Sequence, residues 1–93
     1  MTVRSSIESK LSARFAPVAL TIVDESHLHA GHVGARAEGE THFRVEIVAA
    51  SFAGRSRLER QRLVYAALAD ELAGPVHALS VRALTPTEAA AAS

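Results

Sequence analysis

The segment from Thr41 to Ala49 alternates strictly between two kinds of side chain, and this pattern constrains the fold more than any other feature of the sequence. One set is Thr41, Phe43, Val45 and Ile47, and the set between them is His42, Arg44 and Glu46. Strict alternation is typical of a β-strand with one buried face and one face toward water. Since 93 residues suffice for one core but not two, we predict a single domain spanning residues 1–93.

An amphipathic helix and a first strand are predicted before this segment. The helical stripe recurs every fourth residue and consists of Val3, Ile7, Leu11 and Phe15. Ser5 and Glu8 match a capping box near its start, although Val3 indicates a slightly earlier start, and Pro17 ends the helix. Val18 to Asp24 is rich in β-branched residues and predicts a strand that forms a hairpin with the alternating segment. Residues 25–40 show no sustained period and predict a long loop.

A long helix, a third strand and a short helix are predicted after it. Ser56 and Glu59 form a capping box for a helix that runs to about Ala73, before a Gly-Pro stop signal. Its predicted buried residues are Leu63, Val64, Ala67, Leu68 and Leu72, and its predicted exposed residues are Arg60, Asp70 and Glu71. Val76 to Leu84 alternates, with His77, Leu79, Val81 and Ala83 on one face. Thr85, Pro86 and Glu88 provide the cap, first residue and third residue of the last helix.

The resulting order, α-β-β-α-β-α, predicts an α+β fold. The long helix joins the second and third strands, so these two strands can run parallel through a crossover. We therefore expect a three-stranded mixed sheet with helices on one face.

The composition excludes several classes of function. The chain has no cysteine, so it cannot form a disulfide, a thiolate zinc site or an iron–sulfur cluster held by its own thiolates. Ten basic and ten acidic residues give a formal charge of zero, so no overall field attracts nucleic acid or membrane. The chain carries no serine in a nucleophile elbow and no glycine-rich phosphate loop, which predicts a non-enzymatic protein. No apolar run could span a membrane, and the first six residues lack a signal-peptide core, so we expect a cytoplasmic protein.

Histidines are the first candidate functional residues. His27, His29 and His32 crowd into the predicted loop, where imidazole nitrogens could converge on zinc, copper, nickel or iron. The alternative is that they are solvated loop residues. His77 at the start of the last strand could join them as a ligand, or it could be a partly buried histidine hydrogen-bonded to the backbone.

Arginines at the start of the long helix are the second candidate group. They are Arg55, Arg57, Arg60 and Arg62. Together with the free N–H groups of a helix start they could contact phosphates. The alternative is a solvated helix start whose arginines pair with nearby carboxylates. No aromatic residues are interleaved to stack on bases.

The sequence from about Ile7 to Glu88 closely resembles the BolA family. The motifs that carry the resemblance are Asp24-Glu25-Ser26, Gly39-Glu40-Thr41-His42-Phe43, Phe52-x-Gly54, Arg60-x-Arg62-x-Val64-Tyr65, Leu68-Ala69-Asp70-Glu71-Leu72, Val76-His77-Ala78-Leu79-Ser80 and Thr85-Pro86-x-Glu88. The resemblance implies a KH-like fold of the class II type without the glycine-x-x-glycine loop. Two positions depart from the common pattern, because Gln61 replaces a frequent histidine and Ala89 a frequent aromatic residue.

The resemblance also implies a shared metal centre. BolA-like proteins pair with monothiol glutaredoxins around a [2Fe-2S] cluster, with glutathione supplied on the partner side, in iron–sulfur trafficking or iron regulation. The family's C-terminal histidine ligand matches His77. A second ligand from the loop matches His29 first, His32 second and His27 third. We expect the free chain to be a monomer or a weak homodimer.

The alternative that the resemblance implies is a DNA-binding transcriptional regulator in stress response and cell morphology. Its DNA-binding surface would be the arginine-rich helix start described above.

Overall fold

The computed structural model describes residues 2–25 and 41–92. Within these ranges the chain forms four α-helices, a short 3-10 helix and three strands. The helices are α1 (Val3–Phe15), α2 (Arg57–Ala67), α3 (Ala69–Ala73) and α4 (Pro86–Ala92), and the 3-10 helix is Ala50–Phe52. The strands are β1 (Ala19–Asp24), β2 (His42–Val48) and β3 (Ala78–Leu84). The observed order confirms the predicted α+β arrangement, with an additional division of the long helix.

The three strands form one mixed sheet in the order β1-β2-β3. β1 and β2 are antiparallel, with Ile22 opposite Val45, and this confirms the predicted hairpin. β2 and β3 are parallel, with Val45 opposite Val81, and this confirms the predicted crossover. Because paired residues share a face, Ile22, Val45 and Val81 lie on the same side of the sheet.

The hydrophobic core lies between this side of the sheet and helices α1 and α2. The predicted stripe of α1 supplies Ile7, Leu11 and Phe15, which are all buried. The alternating residues of the second predicted strand are buried as well, namely Thr41, Phe43, Val45 and Ile47. From α2 and the residue that follows it, Val64 and Leu68 complete the core. The periodicity of the sequence therefore identified the buried side of each of these elements.

The start of α1 differs from the prediction. Thr2, not Ser5, is the N-cap, and Ser5 occupies the third helical position, from which its hydroxyl pairs reciprocally with Thr2. The predicted box between Ser5 and Glu8 was wrong because Val3 already belongs to the helix. At the other end Ala16 adopts φ 46°, a left-handed conformation that ends α1 just before Pro17.

The predicted long helix is divided in two at Leu68. Leu68 has φ −107° and ψ 22°, outside the helical range, and its side chain is buried in the core. Glu71 in α3 was predicted to be exposed, but it is buried and faces Lys10 of α1. There its carboxylate accepts from Lys10 Nζ at 2.8 Å, and this hydrogen bond raises the pKa of Lys10 above its ordinary value.

The caps of α2 and α4 agree with the sequence prediction. Ser56 and Glu59 form the reciprocal capping box at the start of α2. Thr85 accepts from the Glu88 N–H at 3.2 Å, and Glu88 accepts from the Thr85 N–H at 2.8 Å. The longest helix in the described ranges has 13 residues, too few to cross a bilayer.

Candidate metal-ligand site at the end of the sheet

His77 lies immediately before β3, and its side chain is exposed. The prediction placed it on the partly buried face with Leu79, but the regular strand begins only at Ala78. The N–H groups of His77 and Ala78 both donate to the Thr41 carbonyl, at 2.7 and 3.3 Å. Successive N–H groups of a regular strand point in opposite directions, so the backbone here is irregular and the alternation does not extend back to His77. As a result Val76 is buried and His77 faces outward.

His42, the first residue of β2, stacks on His77. The two ring centroids are 6.2 Å apart and the ring planes are inclined by 24°. Thr41 holds both residues, because its hydroxyl is 2.8 Å from His42 Nδ1 while its carbonyl binds the His77 N–H. Thr41 itself is fully buried. The alternation of the sequence places His42 only on the solvent face of a strand. In the parallel register of β2 and β3, His42 is paired with Ala78, and this pairing places it beside His77.

The histidines predicted as further ligands, His27, His29 and His32, lie outside the described residues. The described residues on either side of that segment are Glu25 and Thr41. The Glu25 N–H donates to the His42 carbonyl at 2.8 Å, and the Thr41 carbonyl binds the His77 N–H. Both flanking residues therefore lie at the end of the sheet that carries His42 and His77.

One of the four arginines predicted to contact phosphates, Arg60, does not lie at the surface. Arg60 is buried, with 7% of its surface exposed, although the sequence analysis placed it on the exposed side of the helix. Its guanidinium donates to the carbonyls of Arg55 and Ala83 at 3.0 Å each, and it forms a bidentate ion pair with Glu88 of α4. This hydrogen bonding lowers the pKa of Glu88 to about 2. Arg60 therefore links α2 to β3 and to α4.

Arg55, Arg57 and Arg62, the other predicted phosphate contacts, are exposed. None of them forms a salt bridge within the described part of the chain. DNA binding through these three residues stays a prediction.

The comparisons with known proteins agree on one family. The family model described as BolA-like protein matches residues 11–88. The chain is 48% identical over 86 residues to BolA-like protein 1 of Homo sapiens, covering 92% of this chain and 60% of that protein. The chain belongs to the BolA-like family. It spans about three-fifths of the length of the BolA-like protein 1 relatives that it matches.

Two further members of the BolA-like family match over most of their own length. The DNA-binding transcriptional regulator BolA of Escherichia coli is 43% identical over 88 residues, covering 95% of this chain and 80% of that protein. The solved structure of the BolA domain of SufE1 from Arabidopsis thaliana has a TM-score of 0.83 at 44% identity, and the match covers 95% of this chain and 98% of that domain. The BolA fold that the sequence resemblance implied is therefore confirmed.

The chemistry of the residues at this end of the sheet fits that of a metal ligand. Imidazole nitrogen is a good ligand for iron, and His77 presents its ring at the surface. Within residues 2–25 and 41–92, however, no cluster of three or more ligating side chains is present. The His77 imidazole can supply one ligand of a coordination sphere, and the remaining ligands must come from other groups. The donor set thus fits an imidazole contribution to a [2Fe-2S] cluster.

Proposed function

We propose that this BolA-like chain docks a monothiol glutaredoxin and supplies imidazole ligation to a [2Fe-2S] cluster that the two proteins share. The role is non-enzymatic and belongs to iron–sulfur trafficking or iron regulation. The observation that carries the proposal is the exposed position of His77 beside His42, at the end of the sheet where Glu25 and Thr41 flank the histidine-rich segment.

The absence of cysteine explains why the cluster would be shared. Iron–sulfur clusters are held mainly by thiolates, and imidazole replaces thiolate at one iron in Rieske-type centres. A chain with five histidines and no cysteine can provide only the imidazole part of such a centre. The glutaredoxin would provide its active-site thiolate and its bound glutathione. His77 is the proposed ligand from the described residues, and His29 is the first choice from the loop, followed by His32.

The proposal is tested by mixing the chain with a monothiol glutaredoxin that carries a [2Fe-2S] cluster. We expect the visible absorption and circular dichroism of the cluster to change when the heterodimer forms. In the reduced complex, electron paramagnetic resonance should show coupling of the cluster to histidine nitrogen, and ¹⁵N-labelling of this chain alone should alter that coupling. His77→Ala should remove the coupling from this residue, and His29→Ala that from the second proposed ligand.

Ser80→Ala is the matched control, because Ser80 is an exposed residue of β3 near His77. It should leave both spectra as in the parent complex. If His77→Ala and His29→Ala also give parent spectra, histidine ligation is wrong even where the heterodimer forms.

A further inference from the structure

The open edge of β3 presents a set of backbone groups that face away from the sheet. Leu84 directs its carbonyl toward β2, since that carbonyl accepts from the Ala49 N–H at 2.9 Å. Both polar groups of a strand residue point to the same side, and the side alternates from one residue to the next. The residues that face the open edge are therefore Leu79, Val81 and Ala83.

Side chains of α2 already occupy two of the three outward carbonyls. The Tyr65 hydroxyl donates to the Leu79 carbonyl at 2.7 Å, and Arg60 Nη1 donates to the Ala83 carbonyl at 3.0 Å. Val81 lies between them, and the described part of the chain supplies no partner for its outward N–H or C=O. Within the described residues, the outward groups without a partner are thus three N–H donors and one carbonyl, whereas an unmodified edge has equal numbers. The edge of β3 is suited to a ligand that is rich in hydrogen-bond acceptors.

A groove of about 460 Å³ runs along the same edge, between the start of α2 and the second half of β3. Arg57 and Gln61 line it from the helix, and residues 81–84 line it from the strand. Its two charged lining residues, Arg57 and Arg82, are both cationic and exposed, and neither forms a salt bridge within residues 2–25 and 41–92. No aromatic side chain is among the lining residues, so nucleic-acid bases have no stacking surface there.

We propose that this groove binds a short, extended peptide segment with acidic side chains, which pairs with β3 at Val81, between the two carbonyls that Tyr65 and Arg60 already bind. The peptide would exchange its own N–H and C=O with those of Val81, as in other cases of strand addition to a sheet edge. Its carboxylates would meet Arg57 and Arg82, and its backbone carbonyls would accept from the N–H groups of the edge. The groove contacts the second half of β3, whereas His77 precedes its first residue, so the peptide site is separate from the proposed cluster site.

The experiment uses a labelled peptide of alternating valine and glutamate, with a valine–lysine peptide and a short DNA duplex as comparison ligands. Fluorescence polarisation should show binding of the acidic peptide only. Arg57→Glu should weaken that binding by about tenfold or more, since it places like charges together. Arg62→Glu is the matched control, because it makes the same charge change at an exposed position of α2 that does not line the groove. It should retain most of the affinity.

Amide hydrogen exchange on the unmodified chain locates the peptide without relying on any variant. The N–H groups of Val81 and Ala83, the outward residues that line the groove, should become protected when the acidic peptide binds. Val81→Pro removes one of these donors at an edge position where no ladder bond is lost, and it should abolish binding while circular dichroism shows a folded chain. The proposal is overturned if the amides of Val81 and Ala83 stay unprotected, if Arg57→Glu and Arg62→Glu behave alike, or if only the DNA duplex binds. His77→Ala should leave peptide affinity unchanged, so this test is independent of the cluster.

Discussion

At the scale of single residues, the candidate metal site depends on Thr41 as much as on the histidines. Its buried hydroxyl contacts the ring of His42, and its carbonyl anchors the backbone of His77. The two imidazoles consequently stack at a surface position where a partner can reach them. A ligand whose ring is already oriented loses less conformational entropy when it binds metal, so His42 is expected to act as a support for His77.

The support role predicts a specific result for two variants of His42. Removing the ring in His42→Ala should shorten the lifetime of the cluster in the heterodimer by about two- to tenfold. This factor corresponds to the interaction free energy of one aromatic pair. His42→Phe keeps a flat ring without nitrogen and should restore most of the lifetime. The cluster lifetime is measured as the loss of visible absorption over time in the presence of a chelator. If phenylalanine behaves like alanine, His42 acts through its nitrogens, and if alanine behaves like the parent, the stacking has no role.

At the scale of elements, Arg60 is the residue that joins three parts of the fold. From α2 it contacts the β3 backbone at Ala83, the turn at Arg55 and the carboxylate of Glu88 in α4. α4 has no buried residue of its own, so the ion pair between Arg60 and Glu88 is a main attachment of this helix. Because this ion pair needs an ionised Glu88, protonation of Glu88 at low pH weakens the attachment of α4.

The lowered pKa of Glu88 predicts how the stability of the fold depends on pH. Its pKa is about 2 in the folded chain and near the ordinary 4.5 in the unfolded chain. A lowered folded-state pKa stabilises the fold above pH 4.5, and the contribution is lost as the pH falls toward about 2. Glu88→Gln should therefore lower the melting temperature at neutral pH and flatten its decline in acid. Thermal melts across this range test it, with the exposed Glu8→Gln as the control. A decline as steep in Glu88→Gln as in the parent would contradict the assignment.

At the scale of the whole molecule, an aromatic contact in the core joins distant parts of the chain. Phe52 in the 3-10 helix is fully buried, and its ring centroid is 5.1 Å from that of Phe15 at the end of α1. Ser51 beside it donates to the Phe15 carbonyl at 3.2 Å. This turn thus fixes α1 to the segment that leads from β2 into α2.

Truncating Phe52 should destabilise the whole fold. Phe52→Ala leaves a cavity beside Phe15 and should reduce the free energy of unfolding by about 3–5 kcal/mol. Leu58→Ala is the matched control, because Leu58 is a large apolar residue with 56% of its surface exposed, and a change within about 0.5 kcal/mol is expected. Urea denaturation followed by circular dichroism measures both. Equal losses in the two variants would contradict the placement of Phe52 in the core.

Much of this fold could be predicted because it depends on contacts between near neighbours in the sequence. The stripe of α1, the alternation of β2 and the capping pairs at Ser56 and Thr85 are local patterns, and the structure reproduces them. The resemblance to the BolA family could also be recognised from local patterns, because its motifs occur in order along the chain, and the family match confirms it. His77 was identified as a candidate ligand from such a motif, and the structure places its side chain at the surface.

Other features were decided only when distant segments packed together. The sequence alone determined which side of each main element is apolar, because side-chain periodicity records burial. It did not determine that Arg60 and Glu71 are buried, because each is neutralised by a partner on another element, Glu88 or Lys10. Nor did it bring His42 against His77, since that contact depends on the register of parallel strands joined by a long crossover. Pairing of charges and rings across the fold is a property of tertiary structure, and no local pattern encodes it.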